Sequence, residues 1–335
     1  MFRPRLRKPR FTRSPTDKIR LTGRDIRILD LADRYRVARS SHLAPLIRGS
    51  RQHFIRRVGK LFHSGYLLRP KSQLLLDGQR NAPLVFSITA TGQHALRDRG
   101  IPTFATPPRF RSAGVALSLS HSLSVSETVS SFERCAALEG LRFLSHHEWA
   151  GFLSRDLPGR RRHLRWRIKF VLDGESAQYG LMPDAGFSLQ SPDGPESFFL
   201  LESDRGTMPV SRRDPYQSSF RKKVFAYKAT RQIGVLWRRY QIPGFRVLVV
   251  TDSAKRLASI RRATAACFQR GDTTMFLFST ATEVAADPFG SWTSCAGRKV
   301  PLLPGKPVVR GKMGSEEATP ADALGGSFHI NPKNK

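Results

Sequence analysis

Residues 50–65, SRQHFIRRVGKLFHSG, contain the pattern that decides the fold of the first part of the chain. At 100° per residue, the apolar residues fall on one stripe and the cationic residues on the opposite arc, as in an amphipathic helix. Ser50 is placed to cap this helix, and Arg51 lies in its first turn. The stripe consists of Phe54, Ile55, Val58, Leu61 and Phe62. The opposite arc consists of Gln52, His53, Arg56, Arg57, Lys60 and His63. The pattern therefore predicts a helix that buries one side and offers positive charge and hydrogen-bond donors on the other.

The residues on either side of this helix predict a winged helix-turn-helix over residues 20–100. Capping residues mark the starts of further helices, and apolar runs around a polar turn indicate the strands of a wing. In chain order, the flanking elements are a helix capped by Thr22 with Asp25 as its capping-box partner, a short helix from Ser40 or Ser41 to Ile47, strand-like runs at Tyr66–Arg69 with Leu74–Leu76 and at Leu84–Ile88 around a turn at 77–81, and a closing helix from Thr89.

A cationic helix face of this kind suits the major groove of double-stranded DNA. Arginine can bind guanine O6 and N7 with two hydrogen bonds, and glutamine can bind adenine N6 and N7 in the same way. The candidate DNA-binding residues are Arg51, Gln52, His53, Arg56, Arg57 and Lys60 on the helix, with Arg69, Lys71 and Arg80 in and beside the wing. Winged helices also serve as protein-interaction modules whose charged faces are only solvated, and this alternative stays open.

The charge of the whole chain favours a polyanionic partner. The chain has 335 residues, and its 57 Lys and Arg against 26 Asp and Glu give a formal net charge of +31. Residues 1–19 are expected to form a flexible basic arm that follows phosphates, because residues 1–13 contain cations and no acid. No apolar run approaches the roughly 20 residues that span a bilayer, and the amino terminus lacks an apolar signal core. We therefore expect a cytoplasmic protein with no membrane partner; its oligomeric state stays open.

Residues 113–292 alternate between helical and strand-like patterns and predict a second, α/β domain with a mixed sheet. A proline-rich linker at 101–112 precedes this domain, and a tail at 293–335 is expected to be loosely ordered. The predicted elements are a helix at Leu117–Leu138, strands at Trp166–Leu172, Ala185–Leu189 and Phe198–Glu202, a helix at Ser218–Trp237, a strand at Phe245–Thr251, a helix at Ala254–Phe268 and a strand at Met275–Phe278.

Three carboxylates of this second domain form a candidate metal site. Asp184 stands at the start of one predicted strand, and Glu202 and Asp204 share a face at the end of the next because side chains alternate along a strand. If the two strands are neighbours, these groups would repel one another unless a divalent cation such as Mg²⁺ or Mn²⁺ neutralised them, as in many phosphodiester-cleaving sites. The alternative is a structural ion cluster, in which Arg205 pairs with Glu202 or Asp184 and Gly206 supplies a tight turn.

The order of a helix, a Pro-Asp pair and an acidic pair on the next strand resembles the PD-(D/E)XK nuclease-like core. This resemblance implies that Asp184 and Glu202 bind metal and that a following lysine assists the attacking water. Asp204 stands where that lysine belongs, so Lys223, with Tyr227 one turn later, is the candidate for a displaced cation and hydroxyl. The candidate catalytic residues are Asp184, Glu202, Asp204 and Lys223. Glu127, on the preceding helix, lies nearly opposite its apolar stripe and is expected to face solvent.

Longer segments resemble the replication-relaxation family of bacterial plasmid and mobile-element proteins. They are PDAGFSL from Pro183, FFLLESDRGT from Phe198, SSFRKKVFAY from Ser218 and FRVLVVTDSAKRLASIRRA from Phe245. The likeness covers most of residues 20–290 and implies a role in replication initiation or relaxosome assembly, with a relaxase or replication protein as partner. Three functions stay open at this point: a sequence-directed DNA-binding protein of a mobile element, a metal-dependent endonuclease, and a winged-helix transcription regulator.

Overall fold

The computed structural model describes residues 11–14, 19–76, 82–104, 115–149, 164–206, 208–210 and 219–303. The first unit consists of α1 (Gly23–Tyr35), β1 (Ala38–Arg39), α2 (Ser40–Leu43), a 3-10 helix (Ala44–Leu46), α3 (Arg51–His63), β2 (Leu67–Leu68), a second 3-10 helix (Lys71–Leu75), β3 (Val85–Ile88) and α4 (Ala90–Arg97). The three strands form an antiparallel sheet in the order β1-β3-β2.

The helix starts follow the capping residues that the sequence indicates. Thr22 caps α1, and Asp25 closes the capping box by accepting a hydrogen bond of 2.7 Å from the Thr22 backbone N–H. Ser50 caps α3 by accepting a hydrogen bond from the His53 backbone N–H. Thr89 caps α4 in the same way through the backbone N–H of Gly92. These caps satisfy backbone donors that a helix leaves unpaired, and they fix where each helix begins.

The buried stripe of α3 is narrower than expected. Phe54, Val58, Leu61 and Phe62 are buried against α1 and the small sheet, but Ile55 is 46% exposed. Ile55 lies at the edge of the stripe, about 75° from its centre at 100° per residue. It therefore faces solvent beside the cationic residues of α3.

The segment expected to be the first wing strand, Leu74–Leu76, forms no strand. It belongs mostly to the 3-10 helix Lys71–Leu75, and Leu74 and Leu75 are exposed. The reason is the side chain of Gln73, which accepts a hydrogen bond from the Val85 backbone N–H at 2.9 Å and donates one to the Pro70 carbonyl at 2.7 Å. An amide side chain thus takes the place of a strand backbone beside β3. The predicted turn at 77–81 lies outside the described residues.

The second unit is built on a five-stranded mixed sheet, which confirms the class of helices and a mixed sheet expected from the sequence. Its elements are α5 (Val115–Leu138), β4 (Arg142–Ser145), a 3-10 helix (His146–Glu148), β5 (Trp166–Leu172), β6 (Glu175–Leu181), β7 (Ala185–Gln190), β8 (Ser197–Asp204), α6 (Phe220–Ile233), α7 (Val235–Tyr240), β9 (Arg246–Thr251), α8 (Ala254–Ala265), β10 (Phe276–Thr280) and α9 (Ala281–Ala286). Strand β4 and strand β6 were not foreseen.

The sheet has helices on both faces, and the strand order is β10-β9-β8-β7-β4. Strands β8, β9 and β10 are parallel, whereas β7 and β4 are antiparallel to their neighbours. Helix α5 packs one face through Phe132 and Ala136 against Phe187 and Leu189, and α6 and α8 pack the other. Strands β5 and β6 form a separate hairpin. Because β7 and β8 are neighbours, the start of β7 and the end of β8 lie side by side, as the carboxylate hypothesis requires.

Two boundaries differ from those expected. The predicted helix Ser218–Trp237 is divided between α6 and α7 at Gly234, whose positive φ of 70° suits glycine. The folded chain also continues past the predicted boundary at 293, because Thr293 pairs with Phe278 and residues 302 and 303 are buried. Residues 1–10, 105–112 and 304–335, which cover most of the predicted arm, linker and tail, lie outside the described residues.

The two units meet at Glu133 of α5. Its carboxylate accepts hydrogen bonds from Arg34 at 3.1 Å, from Arg27 at 3.3 Å and from the hydroxyl of Tyr35, all on α1. Burial alone would raise the pKa of Glu133, but Arg34 and Arg27 outweigh it and hold the pKa below its usual value. The carboxylate is therefore ionised at neutral pH and links α5 to the first unit. Among the described residues, none of the helices has the length and apolar content needed to cross a membrane.

Candidate nucleic-acid interface and carboxylate site

The outward face of α3 carries five of the predicted DNA-binding residues in exposed positions. They are Arg51, Gln52, His53, Arg56 and Lys60. Within the described part of the chain, Arg51, Arg56 and Lys60 are in no ion pair. Ser50 holds the start of α3 through the His53 backbone N–H, so the exposed face begins at a fixed helix end. Such a face can donate hydrogen bonds to base edges and to phosphates.

Arg57 was also predicted to contact DNA, and the structure gives it a different role. Its Nε lies 2.5 Å from Oδ1 of Asp25, and one Nη lies 2.5 Å from Oδ2. A further hydrogen bond of 2.9 Å reaches the carbonyl of Arg20. Asp25 is fully buried. Burial would raise the pKa of Asp25, but the hydrogen bonds from Arg57 and Thr22 hold it below its usual value. Arg57 therefore joins α3 to α1, and its predicted contact with DNA stays a prediction.

The three predicted DNA-binding residues in and beside the wing differ in their surroundings. Arg69 is 9% exposed, and its guanidinium lies over the rings of Phe62, at 4.2 Å, and Phe86, at 5.2 Å. This cation–π packing holds Arg69 inside the first unit, and its predicted contact with DNA stays a prediction. Lys71 is exposed and stays a candidate. Arg80 lies outside the described residues.

Asp184 is held by partners on two neighbouring elements. Its backbone N–H donates to the Leu201 carbonyl at 3.0 Å, which sets it directly before β7. Its Oδ2 accepts a hydrogen bond of 2.8 Å from the Ser203 backbone N–H. Its Oδ1 lies 3.0 Å from Nε2 of His121 on α5. Asp184 thus joins α5 to the edge between β7 and β8.

His121 was missed in the sequence. The hydrogen bond to Asp184 outweighs burial and raises the pKa of His121 above its usual value. A signal was present, because His121 lies four residues before Val125 and continues the buried stripe of α5, where a polar residue needs a partner. Glu127, the acid singled out on this helix, is exposed as expected.

Glu202 meets the two residues of α6 that were proposed as a displaced cation and hydroxyl. Nζ of Lys223 lies 2.7 Å from its Oε2, and the hydroxyl of Tyr227 donates to its Oε1 at 2.5 Å. Glu202 is 3% exposed. Burial, reinforced by Asp184, raises the pKa of Glu202 although Lys223 and Tyr227 oppose the shift. The pKa of Lys223 is raised because the attraction of Glu202 outweighs its burial.

Asp204 is paired with a residue that was not predicted. Arg256 of α8 donates to it twice, at 2.8 and 3.0 Å. Arg205, the expected partner of the acids, instead donates to the Leu117 carbonyl at 3.4 Å. The expected turn at Gly206 is confirmed, with a φ of 76° and a hydrogen bond from its N–H to Asp204. Asp204 thus forms an ion pair with Arg256, and its predicted role in the carboxylate site stays a prediction.

Each of the three predicted carboxylates has a basic partner, which is His121 for Asp184, Lys223 for Glu202 and Arg256 for Asp204. In the described ranges, no three His, Cys, Asp or Glu side chains form a group that could hold a metal ion. A cavity of about 280 Å³ nevertheless opens beside all three acids, and His121 and Lys223 line it as well. A divalent cation there would have Asp184 and Glu202 as its carboxylate ligands, and Lys223 would have to release Glu202 first.

Comparison with known protein families identifies a match over most of the chain. A family model described as replication-relaxation matches residues 29–244, which include α3, Asp184, Glu202 and Lys223. No curated protein and no solved structure matches the chain.

Proposed function

The chain belongs to the replication-relaxation family, whose model covers well over half of it, and from this premise we propose that it is a sequence-directed, double-stranded DNA-binding protein of a plasmid or mobile element. It acts in replication initiation or in the assembly of the relaxosome for mobilisation. The first unit acts as a winged helix that finds the DNA site, and the second unit holds partner proteins or the DNA strand.

The observation that carries this proposal is the exposed face of α3. Arg56 and Lys60 lie one turn apart on that face, and Gln52 lies one turn before Arg56. A recognition helix in the major groove reads bases with residues spaced in this way. The net charge of +31 supports the proposal, because neutralising phosphates releases counterions and supplies most of the nonspecific affinity.

The contact at Glu133 supports a role for the second unit in organising DNA or partners. Glu133 and Arg34 are both almost buried, with side-chain exposures of 10% and 8%. A DNA-bound first unit would therefore carry α5 and its sheet in a fixed orientation. A relaxase or a replication protein bound to the second unit would then be placed relative to the DNA site.

The proposal is tested by fluorescence anisotropy with the full chain and duplexes tiled across the origin region of its replicon. We expect binding to all duplexes at low salt and tighter binding to one of them when salt and unlabelled competitor are raised. No binding to any duplex at low ionic strength would contradict the proposal. Equal binding to every duplex, including unrelated ones, would contradict its sequence-directed part.

A metal-dependent endonuclease is the second candidate, favoured by the 2.7 Å contact between Lys223 and Glu202. A lysine beside the second acid is what the displaced-lysine interpretation of the nuclease-like site requires. With Mg²⁺ or Mn²⁺ bound at Asp184 and Glu202, the metal would supply charge neutralisation at a phosphate. Nicking of supercoiled plasmid that needs the metal and disappears in Asp184→Ala and Glu202→Ala would establish this function. Intact DNA binding without nicking would leave the binding function alone.

A further inference from the structure

The β5–β6 hairpin has one buried and one exposed face. On β5, Trp166, Ile168 and Leu172 are buried, and Nε1 of Trp166 donates to Oγ1 of Thr230 on α6 at 2.8 Å. Opposite Trp166, Leu181 of β6 is also buried. The hairpin is therefore fixed to α6 through one side, and in the described part of the chain its other side is exposed.

The exposed face of this hairpin is basic and contains no acid. Arg167 and Lys169 alternate with the buried residues, and Arg165 stands at the same spacing directly before β5. Their cross-strand partners on β6 are uncharged, with Gly180 opposite Arg167 and Gln178 opposite Lys169. In the ranges that the structure describes, none of the three cations is in an ion pair. We name Arg165, Arg167 and Lys169 the hairpin cations.

The spacing of the hairpin cations matters for what they can bind. Residues two apart on a strand are separated by about 6.7 Å and point the same way. Three like charges in such a row repel one another, and no counter-charge lies on the same face of the hairpin to offset the repulsion. A fourth cation lies near one end, because Arg239 of α7 donates to the Arg165 carbonyl at 3.3 Å. A linear polyanion placed along this row would relieve the repulsion.

We propose that the exposed face of the β5–β6 hairpin is a second DNA-contact surface, on which Arg165, Arg167 and Lys169 bind successive phosphates of the duplex backbone. Flexible cations on a flat face that cannot enter a groove, because its back is packed on α6, reach phosphates and not base edges. The interaction is therefore independent of sequence. It lies outside the α3 face and takes from the proposed function only that the polyanion is DNA.

The test removes the three charges together and compares the result with an equal charge removal elsewhere. The variant is Arg165→Ser/Arg167→Ser/Lys169→Ser. The control is Lys255→Ser/Arg262→Ser/Arg270→Ser, which removes two arginines and one lysine from exposed positions on and after α8. Circular dichroism melting of both variants checks that they fold. Affinity is measured by anisotropy on a preferred and a random duplex, each long enough to reach both units, between about 50 and 200 mM salt.

The hairpin variant should bind both duplexes more weakly by the same factor and keep the preference between them. The slope of log K against log salt should become shallower by about 0.9 for each phosphate that the variant no longer neutralises, and the control should keep nearly the slope of the unaltered chain. An unchanged slope in the hairpin variant, or an equal change in the control, would overturn the inference while leaving the proposed function intact. Failure of the unaltered chain to bind DNA would overturn both.

Discussion

Arg57 of α3 binds the buried carboxylate of Asp25 on α1 through its Nε and one Nη, each 2.5 Å from a carboxylate oxygen. The capping box of α1 uses the same carboxylate, since Thr22 donates to it as well. One residue of α3 therefore fixes the angle between α1 and α3. Arg56, its neighbour in sequence, is left pointing outward.

Replacing Arg57 should destabilise the first unit, whereas replacing Arg56 should not. Arg57→Ala leaves the Asp25 carboxylate buried with only Thr22 as a partner, which costs about 2 kcal/mol of unfolding free energy. Arg56→Ala removes an exposed side chain and should change it by less than about 0.5 kcal/mol. Urea denaturation of the two variants measures both values. Equal losses would show that Arg57 does not hold the helices together.

The difference between Arg57→Ala and the unaltered chain should depend on pH. Because the pKa of Asp25 is lowered in the folded state, its ionised form contributes stability above the usual value of 3.8, and this contribution is lost as the pH falls below it. The gap in unfolding free energy should therefore be full at neutral pH and shrink in acid. A gap that stays constant down to acid pH would contradict this account of the pair.

Neutralising Glu133 should weaken the contact between the two units. Glu133→Gln leaves Arg34 buried without its closest partner, which should cost about 3 kcal/mol. Glu127→Gln, on the exposed side of the same helix, serves as the control and should cost almost nothing. Thermal melting and limited proteolysis measure the loss of stability. Identical melting of the two variants would mean that Glu133 contributes no stability to the contact.

Replacing Lys223 should lower the free energy of unfolding, because Glu202 would stay buried without its cationic partner. The pKa of Glu202 is raised by burial, so the folded state holds its proton more tightly and stability falls as the pH rises above the usual value of 4.5. In Lys223→Met the pKa rises further, and the loss of stability should reach about 3 kcal/mol at mildly alkaline pH and be smaller at mildly acid pH. Urea denaturation at several pH values measures this dependence.

Two further variants complete this test of the Glu202 pair. Glu202→Gln/Lys223→Met removes both charges and should recover most of the stability, because no unpaired charge stays buried. Arg231→Met, at an exposed position on α6, should behave like the unaltered chain at every pH. A destabilisation in Lys223→Met that does not change with pH would contradict the pairing.

The sequence predicted the features that depend on local spacing. The caps at Thr22 and Ser50 follow from residue types at fixed offsets, and so does the placement of Lys223 and Tyr227 one turn apart toward Glu202. The carboxylate hypothesis required β7 and β8 to be neighbours, and the structure shows that they are. In each case the position of the residues follows from the spacing along one helix or from the end of one strand.

The sequence did not predict which charged residues find partners inside the protein. From the sequence pattern, Arg57 and Arg69 are expected to be surface cations. In the structure, Arg57 binds the carboxylate of Asp25, and Arg69 packs against two aromatic rings. Arg256 lies 52 residues beyond its partner Asp204 in the chain, so spacing carries no sign of the pair. His121 shows the same limit, because its partner Asp184 lies on a different element.

The most direct test of the central claim compares Arg56→Ala with the unaltered chain on a preferred and a random duplex at the same salt. Arg262→Ala removes an exposed arginine of α8 and serves as the matched control. If α3 reads bases, Arg56→Ala should lose about 1 to 3 kcal/mol of binding free energy on the preferred duplex and much less on the random one. Equal losses on both duplexes, or no loss on either, would contradict the assignment of α3 as the recognition helix.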